Sequence, residues 1–357
     1  MGEPALGLIL GVHTVWFEDP QSTLVILKLN LVLNHLKSWH DIRSDFAEVC
    51  VPRSLQPQTL ARAVSVSGHG LHSNLPCTVT LVPTPKASGL LLVHLPTGTE
   101  IPVSADRTGD LRLATTLVKG DVRFQTVEHL LSALMGLEVE HLRIEVDGEE
   151  LPILDGSAAP WEDAILDAGI RPLDGRRRFL KVLRPVEVRQ DGKWIRVSPA
   201  ERSSGLRIRY TIDFDHPAIG RQTRELGLTP EKFRREVGAA RTFCLSHEID
   251  WMRSKGLALG GSLENAVVFG PEGPLNDALR FEDEAVRHKI LDLIGDLALL
   301  GAPLLGFVEA HAAGHAMHVA LAKALLEDPS AWTWSEAEES PAPRPLRPFF
   351  QPVQQPA

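Results

Sequence analysis

Cysteine is scarce: Cys50, Cys77 and Cys244 are the only three in 357 residues, and they lie far apart. With no Cys-x-x-Cys pair and an odd count, neither a disulfide framework nor a thiolate zinc site is suggested, and a reducing compartment fits. No apolar run reaches the ~18 residues that a membrane helix needs. No Lys or Arg precedes Lys28, so the basic start of a secretory signal is missing as well. A cytoplasmic protein without a membrane span is expected. Positive charge is also in deficit. Thirty-seven Lys and Arg face 46 Asp and Glu, a net charge of −9. Nucleic acid is therefore not an expected partner, since phosphate neutralisation requires clustered cations. The one basic run, Arg176-Arg177-Arg178, reads as a solvated turn.

What is present is ordinary for a soluble globular chain: 43% hydrophobic and 23% charged residues, in a length that accommodates two domains. Residues 1 to 55 carry apolar stretches such as Leu24-Val25-Ile26-Leu27 without helix caps or turn punctuation. They read either as an extension of unknown role or as a start assigned too far upstream. Prolines 329, 341, 343, 345, 348, 352 and 356 remove backbone donors, so residues 329–357 are expected to be a disordered tail. Between these ends an internal duplication is expected. Val79-Thr80-Leu81-Val82-Pro83 precedes Ser88-Gly89-Leu90 at the spacing with which Ile195-Arg196-Val197-Ser198-Pro199 precedes Ser204-Gly205-Leu206. Each half then offers an apolar helix (125–137; 285–300), a strand (142–146; 306–311) and a last helix (158–168; 315–327). This order predicts an α+β fold of two similar domains, 56–170 and 179–328, joined by a linker over 171–178.

The segment Val286-Arg-His-Lys-Ile-Leu-Asp-Leu-Ile-Gly-Asp296 carries the most chemistry. On a helix, His288, Asp292 and Asp296 are spaced by four and line one face, while Ile290, Leu291, Leu293, Ile294 and Leu297 fill much of the rest. His and Asp at i, i+4 suit a divalent cation, zinc foremost, although a salt-bridged polar seam satisfies the same pattern. Thr126-Val-Glu-His-Leu-Leu-Ser-Ala-Leu-Met-Gly136 is a second apolar helix, interrupted by Glu128 and His129 and closed by Gly136 as an expected cap. If the two helices face each other, His129, His288 and Asp292 give three ligands and leave one coordination position open, as a catalytic zinc requires. Ala312-Ala-Gly-His315, before the last helix, places one histidine among small residues, within reach of Asp296 as a hydrogen-bond partner.

These segments run in the order found in the UDP-3-O-acyl-N-acetylglucosamine deacetylases of lipid A biosynthesis. With Gly68-His-Gly-Leu-His-Ser73, Leu151-Pro-Ile-Leu-Asp-Gly-Ser157, Ala240-Arg-Thr-Phe243 and Gly256-Leu-Ala-Leu-Gly-Gly-Ser-Leu-Glu-Asn265, the chain resembles that family over roughly residues 58 to 327. The resemblance implies two α+β domains with helices sandwiched between two sheets, and zinc held by His129, His288 and Asp292. It further implies Glu128 as general base, His315 as a cation or general acid oriented by Asp296, Thr242 as an oxyanion donor and Lys289 as a cation near the sugar and its phosphates. Phe243 and His72 would line the nucleotide-sugar site. An insert near 249–268, with Leu257 and Gly260, would form an apolar passage for the acyl chain, its wall suited by Met252, Leu257, Leu259 and Val267.

The implied reaction is hydrolysis of the acetamide of UDP-3-O-acyl-N-acetylglucosamine, by a protein expected to be a monomer. The chain departs from the family pattern at His69, at Asn74, where glycine is usual, and at His318, where Asn is frequent. Three other readings of the residues remain: a structural metal site in a binding module, a metal-free polar seam in a nucleotide-sugar-binding protein, and a zinc amidase or peptidase acting on another amide. A structural site lacks a fourth protein ligand, and a peptidase lacks the HExxH signature.

Overall fold

The computed structural model describes residues 54–200 and 205–337. Of the extension over residues 1 to 55, all but the last two residues lie outside the described part, as does the tail beyond 337.

The first sheet has five strands: β1 (Val64–His69), β2 (Pro76–Pro83), β3 (Leu90–His94), β4 (Thr99–Pro102) and β5 (Leu142–Val146). Their order is β1-β2-β5-β3-β4, with β3 and β5 parallel and every other pair antiparallel. In β2 the period-two alternation that predicts a half-buried strand is realised: Cys77, Val79 and Leu81 are buried and the threonines between them are not.

The second sheet has seven: β6 (Arg178–Val182), β7 (Val186–Gln190), β8 (Lys193–Ser198), β9 (Leu206–Asp213), β10 (Arg221–Gly227), β11 (Leu304–His311) and β12 (Trp332–Glu336). Five of these repeat the first arrangement as β7-β8-β11-β9-β10, again with one parallel pair, β9 with β11. The repeated Val79–Pro83 and Ile195–Pro199 stretches fall on β2 and β8, which occupy the same place in the two orders. Strand β6 adds in parallel to the start of β11, and β12 closes that edge in antiparallel register on β6.

Six α-helices accompany the two sheets: α1 (Glu128–Gly136), α2 (Ala159–Ala168), α3 (Pro230–Glu236), α4 (Ile249–Ser254), α5 (Glu284–Leu297) and α6 (His315–Glu327). Helix α2 packs on β1, α5 on β9 and β10, and α6 on β7 and β8, while α1 touches both α2 and α5. The helices thus lie between the sheets and share one apolar core with them. A helix apolar on all sides belongs in an interior. Helix α1 fits that rule, with every residue buried except the half-buried Met135. None of these helices is long and apolar enough to cross a membrane.

Three expectations need correction. Gly136 does not cap α1 from outside; it is the last helical residue, and a Cβ there would fall 2.3 Å from the Phe233 ring. The glycine is needed for close packing. The tail does not begin at residue 329, because Trp332–Glu336 pairs with Arg178–Val182 as β12. No proline falls between Pro329 and Pro341, which leaves that strand its donors. The 171–178 linker is not free either: Ile170–Pro172 pairs with Gln58–Leu60, and Arg178 opens β6. Near its end the Arg177 N–H donates to the carbonyl of Leu55, and the Arg177 carbonyl accepts from Ala337 N–H.

Candidate metal centre and active site

The close crossing of α1 and α5 creates the site. A Cβ on Gly295 would fall 2.1 Å from the Glu128 carbonyl oxygen, so only glycine lets the two backbones approach this far. The approach sets His129, from α1, against the i, i+4 pair of α5. His129 Nε2 lies 3.8 Å and His288 Nε2 3.3 Å from Asp292 Oδ1, and all three side chains are buried. Each offers one donor atom, and these atoms lie within 4.8 Å of one another. The three groups the sequence proposes as ligands are therefore together.

The donor set fits a divalent cation. His288 Nδ1–H donates to the Ala240 carbonyl at 3.0 Å, which leaves the Nε2 lone pair facing the cluster. Burial, aided by the neighbouring His288, drives the His129 pKa down to about 3 and lowers that of His288 too, so both rings are neutral. Burial opposes ionisation of Asp292, but the adjoining His288 ring, the Lys289 ammonium and the charged His315 together hold the carboxyl well below its usual range. The Lys289 ammonium rests 2.8 Å from Asp292 Oδ2, the oxygen turned from the imidazoles. Two neutral imidazoles and one carboxylate make a nitrogen–oxygen set suited to zinc.

A second trio, Asp296, His315 and His318, also comes within metal-binding reach. Its lone pairs are already used: the Nδ1–H groups of His315 and His318 both donate to Asp296 Oδ2, each at 2.8 Å. The other oxygen, Oδ1, accepts from the Thr115 hydroxyl at 2.5 Å. Burial disfavours a charged His315, yet Asp296 beside it prevails and raises its pKa to about 9. His318 is pushed the other way by burial and shares a 2.9 Å contact with the Tyr210 hydroxyl, which donates to the Ala313 carbonyl. His318 thus touches none of the three proposed ligands, but it belongs to the network behind His315.

Glu128 completes the centre. Its carboxylate accepts the Thr115 N–H at 3.0 Å. Burial raises its pKa to about 8; His315 pulls it down, while Asp292 and Asp296 push it further up.

All five groups (Glu128, His129, His288, Asp292 and His315) line one cavity of about 670 Å³ with Thr242, Phe243, Lys289 and His72. Thr242 is positioned by its N–H to the Gly156 carbonyl at 2.8 Å. Gly156 has φ +84°, and a Cβ there would meet the Asn265 carbonyl at 1.9 Å, so this seam between two motifs also demands glycine. Apolar lining comes from Met252, Leu263, Ala266, Val268 and Leu275.

Leu257, Leu259, Gly260 and Val267 do not line the cavity. Val267 points into the core with 1% exposure, and its neighbour Val268 takes the wall, because successive strand residues face opposite ways. Leu259 is exposed, and Gly260 supports the Gly68–Ser73 stretch by donating to the Leu71 carbonyl. Asn74 has φ +56°, a conformation that Asn tolerates nearly as well as the usual glycine. His69 is exposed at the end of β1.

Thr115, Tyr210 and Glu150 were not anticipated. Tyr210 alone carried a signal, being the only tyrosine of the chain.

The family profile described as UDP-3-O-acyl N-acetylglycosamine deacetylase matches residues 57–327, well over half of the chain. The UDP-3-O-acyl-N-acetylglucosamine deacetylase of Anaeromyxobacter dehalogenans (strain 2CP-C) is 46% identical over 279 residues, 78% of this chain and 90% of the relative. Proteins of the same name from Cellvibrio japonicus (strain Ueda107) and Thioalkalivibrio sulfidiphilus (strain HL-EbGR7) are 43% and 42% identical, each covering 99% of the relative and 82% and 84% of this chain.

Proposed function

This chain belongs to the UDP-3-O-acyl-N-acetylglucosamine deacetylase family, and we propose that His129, His288 and Asp292 hold one zinc ion in it for hydrolysis of the substrate acetamide. The observation that carries the reading is the convergence of those three donors beside a buried Glu128 and a charged His315 in one cavity. When bound, the ion supplies Lewis acidity, acidifying a water, polarising the acetamide carbonyl and favouring the carboxylate form of Glu128.

The chain's own groups do the rest. Glu128, steadied by Thr115 N–H, takes a proton from the attacking water. His315 Nε2–H stabilises the oxyanion and passes a proton to the departing amine, while Asp296 keeps the ring oriented and charged. Thr242 offers a hydroxyl to the same oxyanion. Lys289 screens Asp292 and presents a cation to the sugar and its phosphates. Acetate and the free glucosamine amine are the products. Phe243 and His72 border the nucleotide sugar, and the Met252, Leu263, Val268 and Leu275 stretch takes the acyl chain. We place this chemistry in a cytoplasmic monomer, a reading that unpaired Cys77 and Cys244 support.

The test joins metal analysis of the purified protein to UDP-sugar deacetylation. One equivalent of zinc, lost with activity on chelation and restored with it, is expected. Full turnover in metal-free protein would overturn the reading.

A further inference from the structure

Glu150, on the loop after β5, is a buried carboxylate at 5% exposure to which no role in the reaction has been given. Its backbone is fixed against the strand end before α1: Gln125 N–H donates to the Glu149 carbonyl and Leu151 N–H to the Gln125 carbonyl. A buried carboxylate must find donors. Glu150 finds three. Oε1 accepts His72 N–H at 2.7 Å and the Thr126 hydroxyl at 3.2 Å, and Oε2 accepts Ser73 N–H at 2.7 Å. Gly70 is glycine for the same reason, since a Cβ there would fall 2.2 Å from Glu150 Oε2.

The loop so gripped carries His72. Ala258 N–H donates to His72 Nδ1 at 3.2 Å, so the ring proton resides on Nε2. That Nε2–H, in a buried side chain that lines the cavity, makes no close protein hydrogen bond, and only the Leu113 backbone lies near enough to favour its proton. The same loop holds the 258–260 segment, for Leu259 N–H donates to the His72 carbonyl and Gly260 N–H to the Leu71 carbonyl. On its other side Glu150 reaches Thr126, three residues before His129.

We infer that Glu150 is a positioning residue for the deacetylation. It fixes the His72 ring as an Nε2–H donor toward bound substrate, and it ties the substrate loop to the helix bearing Glu128 and His129 without touching substrate itself. The inference rests on the family reading of the cavity. Glu150→Gln keeps the shape of the side chain but offers an amide donor where an N–H already points.

The expected result is a KM for the UDP-sugar raised ~10-fold, with kcat and bound metal nearly unchanged. Gly70→Ala, which displaces the carboxylate from the opposite side, should give the same split and should not add to Glu150→Gln. A readout independent of turnover is the nitrogen NMR spectrum of the His72 imidazole. The wild-type ring should be a pinned Nε2–H tautomer and the Glu150→Gln ring an average of both forms. If Glu150→Gln folds poorly, Glu150→Asp and Gly70→Ala carry the same comparison. A lowered kcat or melting temperature with unchanged KM and an unchanged His72 spectrum would reduce Glu150 to a structural residue. If wild-type protein leaves the UDP-sugar intact, the deacetylation reading fails, and the His72 spectra of wild type and Glu150→Gln then decide separately whether Glu150 fixes that ring.

Discussion

The two halves of the molecule share a strand order but not a chemical load. Around the first sheet, α1 contributes Glu128 and His129, and the segment between β4 and α1 contributes Thr115. Around the second, α5 alone carries His288, Lys289, Asp292 and Asp296, with His315 and His318 on α6 and Tyr210 on β9. The i, i+4 pair of His288 and Asp292 belongs to the second half, and Glu128 belongs to the first. What the difference teaches is that the site belongs to the seam. A repeated architecture can be specialised by loading one copy's helix with the proposed ligands while the other copy keeps the proposed base, provided the helices cross closely enough.

Removing a ligand from the richly loaded helix should have the largest effect. Asp292→Ala takes the one anionic ligand from the cluster and leaves Lys289 without its partner. Metal affinity should fall at least ~100-fold, and activity with it, measured by competition with a chromogenic chelator. The first half's contribution should separate cleanly from this. Glu128→Ala should retain metal yet lose ~10²–10⁴-fold in kcat. A variant that loses its metal would make Glu128 a ligand and shift the balance between the halves.

The crossing itself is the next target. Gly295→Ala inserts a methyl 2.1 Å from the Glu128 carbonyl, and overpacking of this kind costs ~1–3 kcal/mol. A lowered melting temperature together with weaker zinc binding is expected. A variant as stable and as tightly loaded as wild type would show that the helices can part without opening the site.

The basic limb of the pH profile probes the second half. The His315 pKa is raised from 6.5 to about 9, so the imidazolium and the stability it brings are fully present below pH 6.5 and vanish as pH rises through about 9. Activity should therefore fall above about pH 9, with the limb moved to lower pH in Asp296→Asn, where the counter-charge is gone. A basic limb unmoved in that variant and in His315→Ala would pass the role to Lys289.

The smallest effect concerns the chain end. Truncation after Ala337 should leave melting temperature and kcat/KM unchanged. Truncation after Asp328 should lower the melting temperature by uncovering the β6 edge.

How much of this was legible in the sequence follows from how far apart the interacting residues lie. The i, i+4 pair on α5 and the helix His315–Glu327 are local patterns, and periodicity exposes them. Thr115 meets Asp296 across 181 positions, and no spacing rule reaches that far. Glu150 is silent for a similar reason: its partners are backbone N–H groups, which every residue type possesses. The cavity wall failed by one residue because a period of two makes neighbours opposites, and nothing local distinguishes Val267 from Val268. β12 was hidden by the prolines beyond it, although Trp332-Thr-Trp-Ser-Glu336 alternates like a strand.

The paired hydrogen bonds of the Arg177 backbone have a topological consequence. Leu55 and Ala337 are each held by the same residue, so the two ends of the described body meet at a common point, as in a ring that is nearly closed. Rings can be cut elsewhere. A permuted chain, sealed across residues 55 and 337 and opened at the exposed Thr97-Gly98 turn between β3 and β4, should retain the same body and the same site, because neither operation touches a helix that carries a ligand.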